Sequence, residues 1–205
     1  MLGQEMVSKW HDFKVVCNTL SAVIVIGAVV GTVYFYKSAT AVQAGTPEII
    51  YEKPDFEHTS NKTFLVNVTQ CVDYIYNTTT DVFPVPLDLI LAQAALESGW
   101  GTSRFAREGK NLFGMRTYNL TEPHMLPSNK PRKWGVKVYE HECDSVMHYI
   151  NTLNNGTAFG KYQKLRDGGE TDAIKLLHTL ESYASDKNYF VKVEKIIKKI
   201  RTEYR

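Results

Sequence analysis

The sequence predicts an α+β fold that is mainly helical, carries a small β-hairpin lobe, and is preceded by one N-terminal transmembrane helix. Three observations favour this class. Residues 15–36 contain no charged side chain, apolar residues recur at three- and four-residue intervals over most of residues 60–205, and this helical period is lost between Asn111 and Glu140. With 205 residues the chain is long enough for one sizeable domain, and its net charge of +2 indicates no particular class of partner.

The uncharged segment at residues 15–36 is close in length to the ~20 residues that a helix needs to cross a bilayer. We therefore predict a transmembrane signal anchor at residues 15–36, between a cytoplasmic N-terminus at residues 1–14 and a linker at residues 37–59. Lys9 and Lys14 precede the segment and give only a slight positive-inside bias.

A cleaved signal peptide is the alternative for this segment, because small residues at Ala39, Ala41 and Ala44 suit a cleavage site. The apolar core of a signal peptide, however, spans only ~7 to 15 residues. A buried helix of a soluble domain is disfavoured, since the segment has no polar face. We therefore favour the retained anchor.

The globular domain is predicted at residues 60–205 and begins with an amphipathic helix followed by a buried one. The first helix is indicated by apolar residues spaced three and four apart, namely Phe64, Val68, Cys71, Val72 and Ile75. Pro84 and Pro86 then precede a second helix that is apolar on nearly every face, as expected of a helix surrounded by protein. Gly99 and Gly101 lie just beyond its end and act as stop signals.

The remaining elements follow from the same periodicities. Thr102 or Ser103 is expected to cap a short helix that runs through Glu108, and residues 134–139 alternate as a β-strand does, in a lobe rich in proline, asparagine and glycine. Helical patterning resumes in four segments that bring apolar residues to one face: Val146, Tyr149, Ile150 and Leu153; Tyr162 and Leu165; Ile174, Leu177 and Leu180; and Tyr189, Val193, Ile196, Ile197 and Ile200.

Glu97 places a carboxyl group in the last turn of the buried second helix, directly before the two glycines. Burial disfavours the ionised form of a carboxyl group, and the negative end of the helix dipole acts in the same direction. Both effects raise the pKa of Glu97 toward the value that general-acid catalysis near neutral pH requires. The position therefore indicates protonation of a leaving group.

The stretch that contains Glu97 reads Ala-Gln-Ala-Ala-Leu-Glu-Ser-Gly-Trp-Gly-Thr-Ser-Arg-Phe-Ala, and Asn-Leu-Phe-Gly follows at residues 111–114. In order and approximate spacing these motifs resemble the glucosaminidase family of peptidoglycan hydrolases. The resemblance implies a lysozyme-like fold with a cleft between the helical body and the hairpin lobe. It also implies hydrolysis of the β-1,4 bond between N-acetylglucosamine and N-acetylmuramic acid, with Glu97 as general acid.

Glycoside hydrolysis normally needs a second group besides the acid. The resemblance implies Glu122, because the second glutamate of relatives precedes a basic-aromatic strand by about a dozen residues, as Glu122 precedes Trp134, although the loop between them is shorter here. Alternatively, the 2-acetamido group of the substrate acts as nucleophile. Tyr183, in a segment that resembles the Tyr-Ala-Thr-Asp motif of the family, is the third catalytic candidate and is expected to bind that group or a water.

Aromatic residues in the segments around Glu97 are candidate saccharide contacts, because the apolar faces of sugar rings stack on aromatic rings. Tyr118 and Trp134, on the irregular lobe, are the better candidates. Trp100 and Phe113 are expected to serve mainly in packing. Asn111 is expected to fix the turn beside Phe113. The predicted substrate-binding residues are therefore Trp100, Asn111, Phe113, Tyr118 and Trp134.

We expect no cofactor, no metal and no nucleic-acid partner. The six histidines have no ligand spacing, since the nearest group, His141, Cys143 and His148, is loosely spread. Cys71 and Cys143 lie outside the predicted membrane segment, and an oxidising compartment would allow them to pair, which the sequence leaves open. The expected partners are the glycan strands of peptidoglycan and the membrane, and the domain is expected in the periplasm or outside the cell. The sequence does not predict the oligomeric state.

Two other functions stay open at this point. A lytic transglycosylase would use Glu97 as both acid and base and would form an anhydro sugar. A non-catalytic wall-binding or structural module would keep its activity when Glu97 is replaced.

Overall fold

Seven α-helices and three short strands are present in residues 51–127 and 133–204, the parts of the chain that this computed structural model describes. The helices are α1 (Asn61–Thr78), α2 (Leu87–Ser98), α3 (Arg104–Gly109), α4 (Glu142–Asn155), α5 (Gly160–Asp167), α6 (Ala173–Leu177) and α7 (Tyr189–Glu203), and the strands are β1 (Arg116–Thr117), β2 (His124–Met125) and β3 (Gly135–Lys137). A 3-10 turn, Thr157–Phe159, precedes α5. The mainly helical α+β class predicted from the sequence is confirmed.

The ends of the first three helices follow the local chemistry of the sequence. The hydroxyl of Ser60 accepts a hydrogen bond from the Thr63 amide and caps α1. Gly99, with a φ of 59°, ends α2 in the left-handed conformation that favours glycine. The hydroxyl of Ser103 accepts from the Ala106 amide and caps α3, which decides between the two caps that the sequence allows.

Helix α2 lies at the centre of the domain, in contact with α1, α6 and α7. Its residues Leu89–Ala95 are all buried, whereas α7 buries one face through Tyr189, Val193, Ile197 and Ile200. The helix in the third of the four predicted segments is shorter than its apolar pattern, because α6 ends at Leu177 and Leu180 is buried after the turn that follows. Because α2 is packed on several sides, its C-terminal end and Glu97 have a fixed place in the domain.

A disulfide joins Cys71 on α1 to Cys143 on α4, with 4.9 Å between their Cα atoms. This settles the pairing that the sequence left open. The two cysteines are 72 residues apart and both are buried, so the bond ties the first helix of the domain to the helix that follows the sheet.

The three strands form an antiparallel sheet in the order β1-β3-β2, with Arg116 opposite Val136 and Met125 opposite Val136 on the other side. The predicted hairpin lobe is therefore confirmed as a sheet but gains a third strand. Strand β1 is only two residues long, which is too short to give an alternating pattern in the sequence. The predicted strand at residues 134–139 contracts to Gly135–Lys137.

Residues 51–59, the end of the predicted linker, contain no helix or strand but contact the domain. Lys53 pairs with Asp144 at 2.6 Å, and the side-chain amide of Asn67 donates to the carbonyl oxygen of Glu57 at 2.7 Å. The predicted membrane helix at residues 15–36 lies outside the described residues. Within the described ranges, no helix combines the length and apolar character that a membrane span requires.

Candidate active site

A cleft of about 910 Å³ opens between the C-terminal end of α2, the start of the sheet and the segment before α7. Its walls come from separate parts of the chain, namely Leu96, Glu97, Phe113, Gly114, Met115, Arg116, Tyr118, Thr152, Ala158, Phe159, Ser182, Tyr183, Ala184, Ser185, Asp186, Tyr189 and Lys192. Four of the predicted site residues therefore line one cleft, namely Glu97, Phe113, Tyr118 and Tyr183. A concave site with a few convergent polar groups is the usual form of a ligand-binding site.

Glu97 lies in the last turn of α2, and its side chain is half-buried at the wall of the cleft. Burial raises the pKa of Glu97 above its ordinary value, and a side-chain hydrogen bond with Tyr189 opposes that rise in part. The predicted direction of the shift is confirmed. A carboxyl group of this kind holds its proton to a higher pH than an exposed glutamate, as a general acid must.

The turn of residues 111–114 faces Glu97 and is held by Asn111, which is 1% exposed. Its amide oxygen accepts from the backbone amides of Phe113 and Met115, and its amide nitrogen donates to the carbonyl oxygens of Met115 and Lys137. Gly114 has a φ of 63°, and a Cβ atom added there would lie 3.9 Å from Oε2 of Glu97. Asn111 therefore fixes the turn, as predicted, and its amide is fully used within the protein.

Tyr183 lies beside Glu97, and its ring stacks on that of Tyr189 with 5.7 Å between centroids. Its hydroxyl oxygen is buried and has no hydrogen-bond partner among the described residues. Burial, with smaller contributions from Tyr189 and Glu97, raises the pKa of Tyr183 well above its ordinary value, so the phenol stays protonated. An unpartnered buried hydroxyl in a cleft is ready to bind a polar group of a ligand.

A buried chain of polar side chains, not predicted from the sequence, lies behind Glu97. The hydroxyl of Tyr149 donates to Oε1 of Gln93, and Nε2 of Gln93 donates to the hydroxyl oxygen of Tyr189 at 2.7 Å. The sequence signal was available, because Gln93 is a polar residue within the apolar part of α2 and precedes Glu97 by four positions.

Glu122 is held on the sheet lobe by an ion pair with Lys137, whose Nζ atom lies 3.3 Å from the carboxylate. The side chains of Thr117 and Asn119 also donate to it, at 3.4 and 3.3 Å. These contacts, that of Lys137 above all, lower the pKa of Glu122 below its ordinary value. The side chains that line the cleft do not include Glu122.

The predicted aromatic contacts divide into two groups. Tyr118 lines the cleft with 72% of its surface exposed, whereas Phe113 is buried and stacks on Tyr149 with 4.1 Å between ring centroids. Trp100 packs against Phe64 and Tyr204 and is not part of the lining.

Trp134 contacts the cleft through a neighbour. The guanidinium carbon of Arg116, a residue of the lining, lies 4.1 Å from the centroid of the Trp134 ring, the geometry of a cation–π contact. Lys192 adds a second cationic group to the lining and pairs with Asp186 at 2.6 Å. The cleft thus presents aromatic and charged groups around Glu97.

One group of metal-ligand residues occurs in the described part of the chain, Cys71, His141 and Cys143, whose ligand atoms lie within 4.8 Å of one another. The two cysteines are joined in the disulfide, so their sulfur atoms are not the thiolates that bind metals. Nδ1 of His141 accepts from the amide of Cys143 and caps α4. The disulfide and the helix cap therefore explain why these three residues lie close together.

The sequence model of a family described as "Glucosaminidase: Mannosyl-glycoprotein endo-beta-N-acetylglucosaminidase" matches residues 75–202, which include the cleft. The chain belongs to the glucosaminidase family. The match runs from α1 to α7 and confirms the resemblance that the motifs around Glu97 indicate.

Individual relatives agree with this assignment. "Protein bax" of Escherichia coli (strain K12) is 32% identical over 107 residues, which are 49% of this chain and 37% of that protein. The glycoside hydrolase domain of FlgJ from Salmonella typhimurium superposes with a TM-score of 0.53 at 26% identity, covering 70% of this chain and 89% of that one. The chain spans less than half the length of the curated relatives that it matches.

The catalytic domain of the autolysin Auto from Listeria monocytogenes superposes with a TM-score of 0.54 at 24% identity, covering 77% of this chain and 92% of that one. This similarity concerns the fold. The mainly helical body with a small sheet is thus an architecture that this chain shares with both solved domains.

Proposed function

We propose that the domain hydrolyses the glycan strands of peptidoglycan, at the β-1,4 bond on the reducing side of N-acetylglucosamine, with Glu97 as general acid. The observation that carries the proposal is the half-buried carboxyl of Glu97, with a raised pKa, in a cleft beside the unpartnered hydroxyl of Tyr183. Membership of the glucosaminidase family supports the sugar class. The relative FlgJ, which is named a peptidoglycan hydrolase, supports the polymer.

In the proposed reaction the protonated carboxyl of Glu97 gives its proton to the glycosidic oxygen while the bond from that oxygen to C1 breaks. The carbonyl oxygen of the 2-acetamido group forms a bond to C1 and stabilises the positive charge that develops there. Water then attacks C1 and breaks that bond, and the Glu97 carboxylate accepts the proton of the water. The acid is regenerated, and the product keeps the configuration at C1.

We assign Tyr183 the role of binding the acetamido group. Its side chain lies in the lining with Glu97, and its buried hydroxyl lacks a protein partner within the described residues, so a substrate group that accepts a hydrogen bond from it would remove the cost of burying it. Glu122 is the alternative second group, acting as a carboxylate base, because its lowered pKa keeps it ionised. Glu122 is paired with Lys137 and lies outside the cleft lining, and both facts favour the acetamido route.

Further along the cleft, Tyr118 is proposed to stack on a sugar ring, since 72% of its surface is exposed in the lining. Trp134 is proposed to act through Arg116, whose guanidinium it holds at the edge of the cleft. Phe113 is proposed to form a packed part of the cleft wall, and Trp100 and Asn111 to support the cleft from behind.

The test is mass spectrometry of the fragments that the full chain, in mild detergent, releases from purified peptidoglycan. Glu97→Gln is compared with the wild type, and Glu108→Gln, an exposed glutamate on α3 outside the cleft lining, is the matched control. We expect fragments that end in reducing N-acetylglucosamine from the wild type and the control, and none from Glu97→Gln. Anhydro products would indicate a lytic transglycosylase, and no release from several wall types would favour a binding module.

We also propose that residues 15–36 anchor the chain in the membrane with the domain facing the cell wall. The disulfide supports the location, because such bonds form and persist outside the reducing cytoplasm. Protease treatment of intact spheroplasts tests it: digestion of the domain is expected, and protection of the domain until the cells are lysed would contradict the orientation.

A further inference from the structure

Gln93 is a fully buried amide, 0% exposed, one helical turn before Glu97 on the same face of α2. A buried side-chain amide is costly unless both of its ends are hydrogen-bonded. Here both ends are used, and each partner comes from a different helix: Tyr149 from α4 and Tyr189 from α7. The arrangement thus joins three helices directly behind the carboxyl group to which we assign the chemistry.

The direction of each hydrogen bond follows from the two ends of the amide. Tyr149, held by its stack on Phe113, donates to Oε1 of Gln93, which leaves Nε2 facing Tyr189. The amide nitrogen can only donate, so the hydroxyl oxygen of Tyr189 must accept from it. The proton of the Tyr189 hydroxyl is then free to be directed at Glu97, which follows Gln93 by one turn on the same face of α2 and lines the cleft together with Tyr189. In agreement with this placement, Tyr189 lowers the pKa of Glu97 and Glu97 raises the pKa of Tyr189.

We infer that Gln93 is a positioning residue, whose amide keeps Tyr189 as a hydrogen-bond donor to Glu97 and so leaves the acid proton of Glu97 directed at the cleft. The inference rests on the proposed function of Glu97. Without the amide, the Tyr189 hydroxyl is free to turn and accept the acid proton itself. That proton would then be held inside the protein, away from the glycosidic oxygen.

The other groups that face Glu97 set the background for this effect. Tyr183, from the segment before α7, interacts electrostatically with Glu97 and is protonated. Arg116, Asp186 and Lys192 line the same cleft, and the last two are paired with each other. Substitution of Gln93 leaves these groups in place, so a change in the titration of Glu97 reports the amide and Tyr189.

The experiment is a double-mutant cycle on the pKa of Glu97, measured by NMR on the full chain in detergent with ¹³C-labelled glutamate carboxyl groups, using Glu97→Gln to assign the signal. The variants are Gln93→Met, Tyr189→Phe and the two combined. Gln93→Met is expected to raise the pKa of Glu97, because Tyr189 then bonds the protonated form. Tyr189→Phe is expected to raise it by removing the donor, and Gln93→Met is expected to add nothing in that background.

Activity gives a second readout, because Gln93→Met is expected to lower kcat about 10-fold or more while KM stays within about twofold. If Gln93→Met does not fold, Tyr149→Phe is the substitute, because it removes only the hydrogen bond to the far side of the Gln93 amide. It is expected to shift the pKa of Glu97 by less, and this shift is also expected to vanish in the Tyr189→Phe background. An unchanged pKa, or equal shifts in both backgrounds, would overturn the inference. The NMR measurement needs no turnover, so its outcome is separate from the loss of activity in Glu97→Gln that tests the proposed function.

Discussion

Removal of the disulfide between Cys71 and Cys143 is expected to lower the free energy of unfolding by about 4 kcal/mol. The bond closes a loop of 72 residues. In the chain-entropy description such a loop restricts the unfolded state by about 15 cal/mol/K, which corresponds to about 4 kcal/mol at 25 °C. Because a domain of this size is stable by only about 5 to 15 kcal/mol, the change removes a large part of its stability.

The assay is equilibrium unfolding in urea, followed by circular dichroism, of the wild type and of the variant Cys71→Ala/Cys143→Ala, each with and without a reductant. The reduced wild type is expected to match the variant, and the variant is expected not to respond to the reductant. Its unfolding slope is also expected to rise, since an unbridged chain exposes more surface when it unfolds. A loss below about 1 kcal/mol would refute the assignment of this stability to loop closure.

Four further predictions concern the cleft. Glu97→Gln is expected to raise the free energy of unfolding at pH 7 but not at pH 4. The reason is the raised pKa of Glu97, because of which the wild type loses stability as the pH rises from the ordinary pKa of a glutamate to the raised one. Equal effects of the substitution at pH 4 and pH 7 in thermal melts would contradict this. Tyr183→Phe is expected to lower kcat about 10- to 100-fold while the free energy of unfolding stays the same or rises, since its buried hydroxyl bonds nothing in the described protein; a clear loss of stability would refute this. Glu122→Gln is expected to keep activity within about twofold, whereas a loss above about 100-fold would establish a two-carboxylate mechanism. Asn111→Ala is expected to cost about 2 to 4 kcal/mol in urea unfolding, because four hydrogen bonds of the turn depend on it, and an unchanged midpoint would contradict that role.

The helical body was predictable because its helices are long enough to repeat an apolar spacing. Helix α1 (Asn61–Thr78) shows that spacing over about three turns, from Phe64 to Ile75. Gly99 signals the end of α2, because glycine adopts the left-handed backbone conformation more readily than other residues do. Strand β1, with two residues, has no pattern to detect, and Leu180 continues the apolar spacing of α6 from a turn outside the helix. The bounds of such short helices and strands are set by contacts with distant parts of the chain, which no local pattern contains.

The site was predictable where one segment of chain carries it. Glu97 could be placed at a buried helix end from its neighbours alone, and the motif of residues 111–114 supplied the turn that faces it. The contacts that define the roles of Gln93 and Tyr189 join residues 96 positions apart. No local pattern contains such a pair, and Tyr189 therefore reads in the sequence only as an apolar position of α7.

The most direct test of the central claim compares binding and turnover in Glu97→Gln on one substrate, a purified soluble glycan fragment of peptidoglycan. If Glu97 is the general acid, the variant binds the fragment with a Kd within about twofold of the wild type, while turnover falls by about 1,000-fold or more. Retained turnover would show that another group supplies the proton. Loss of binding together with turnover would show that Glu97 holds the substrate instead of protonating its leaving group.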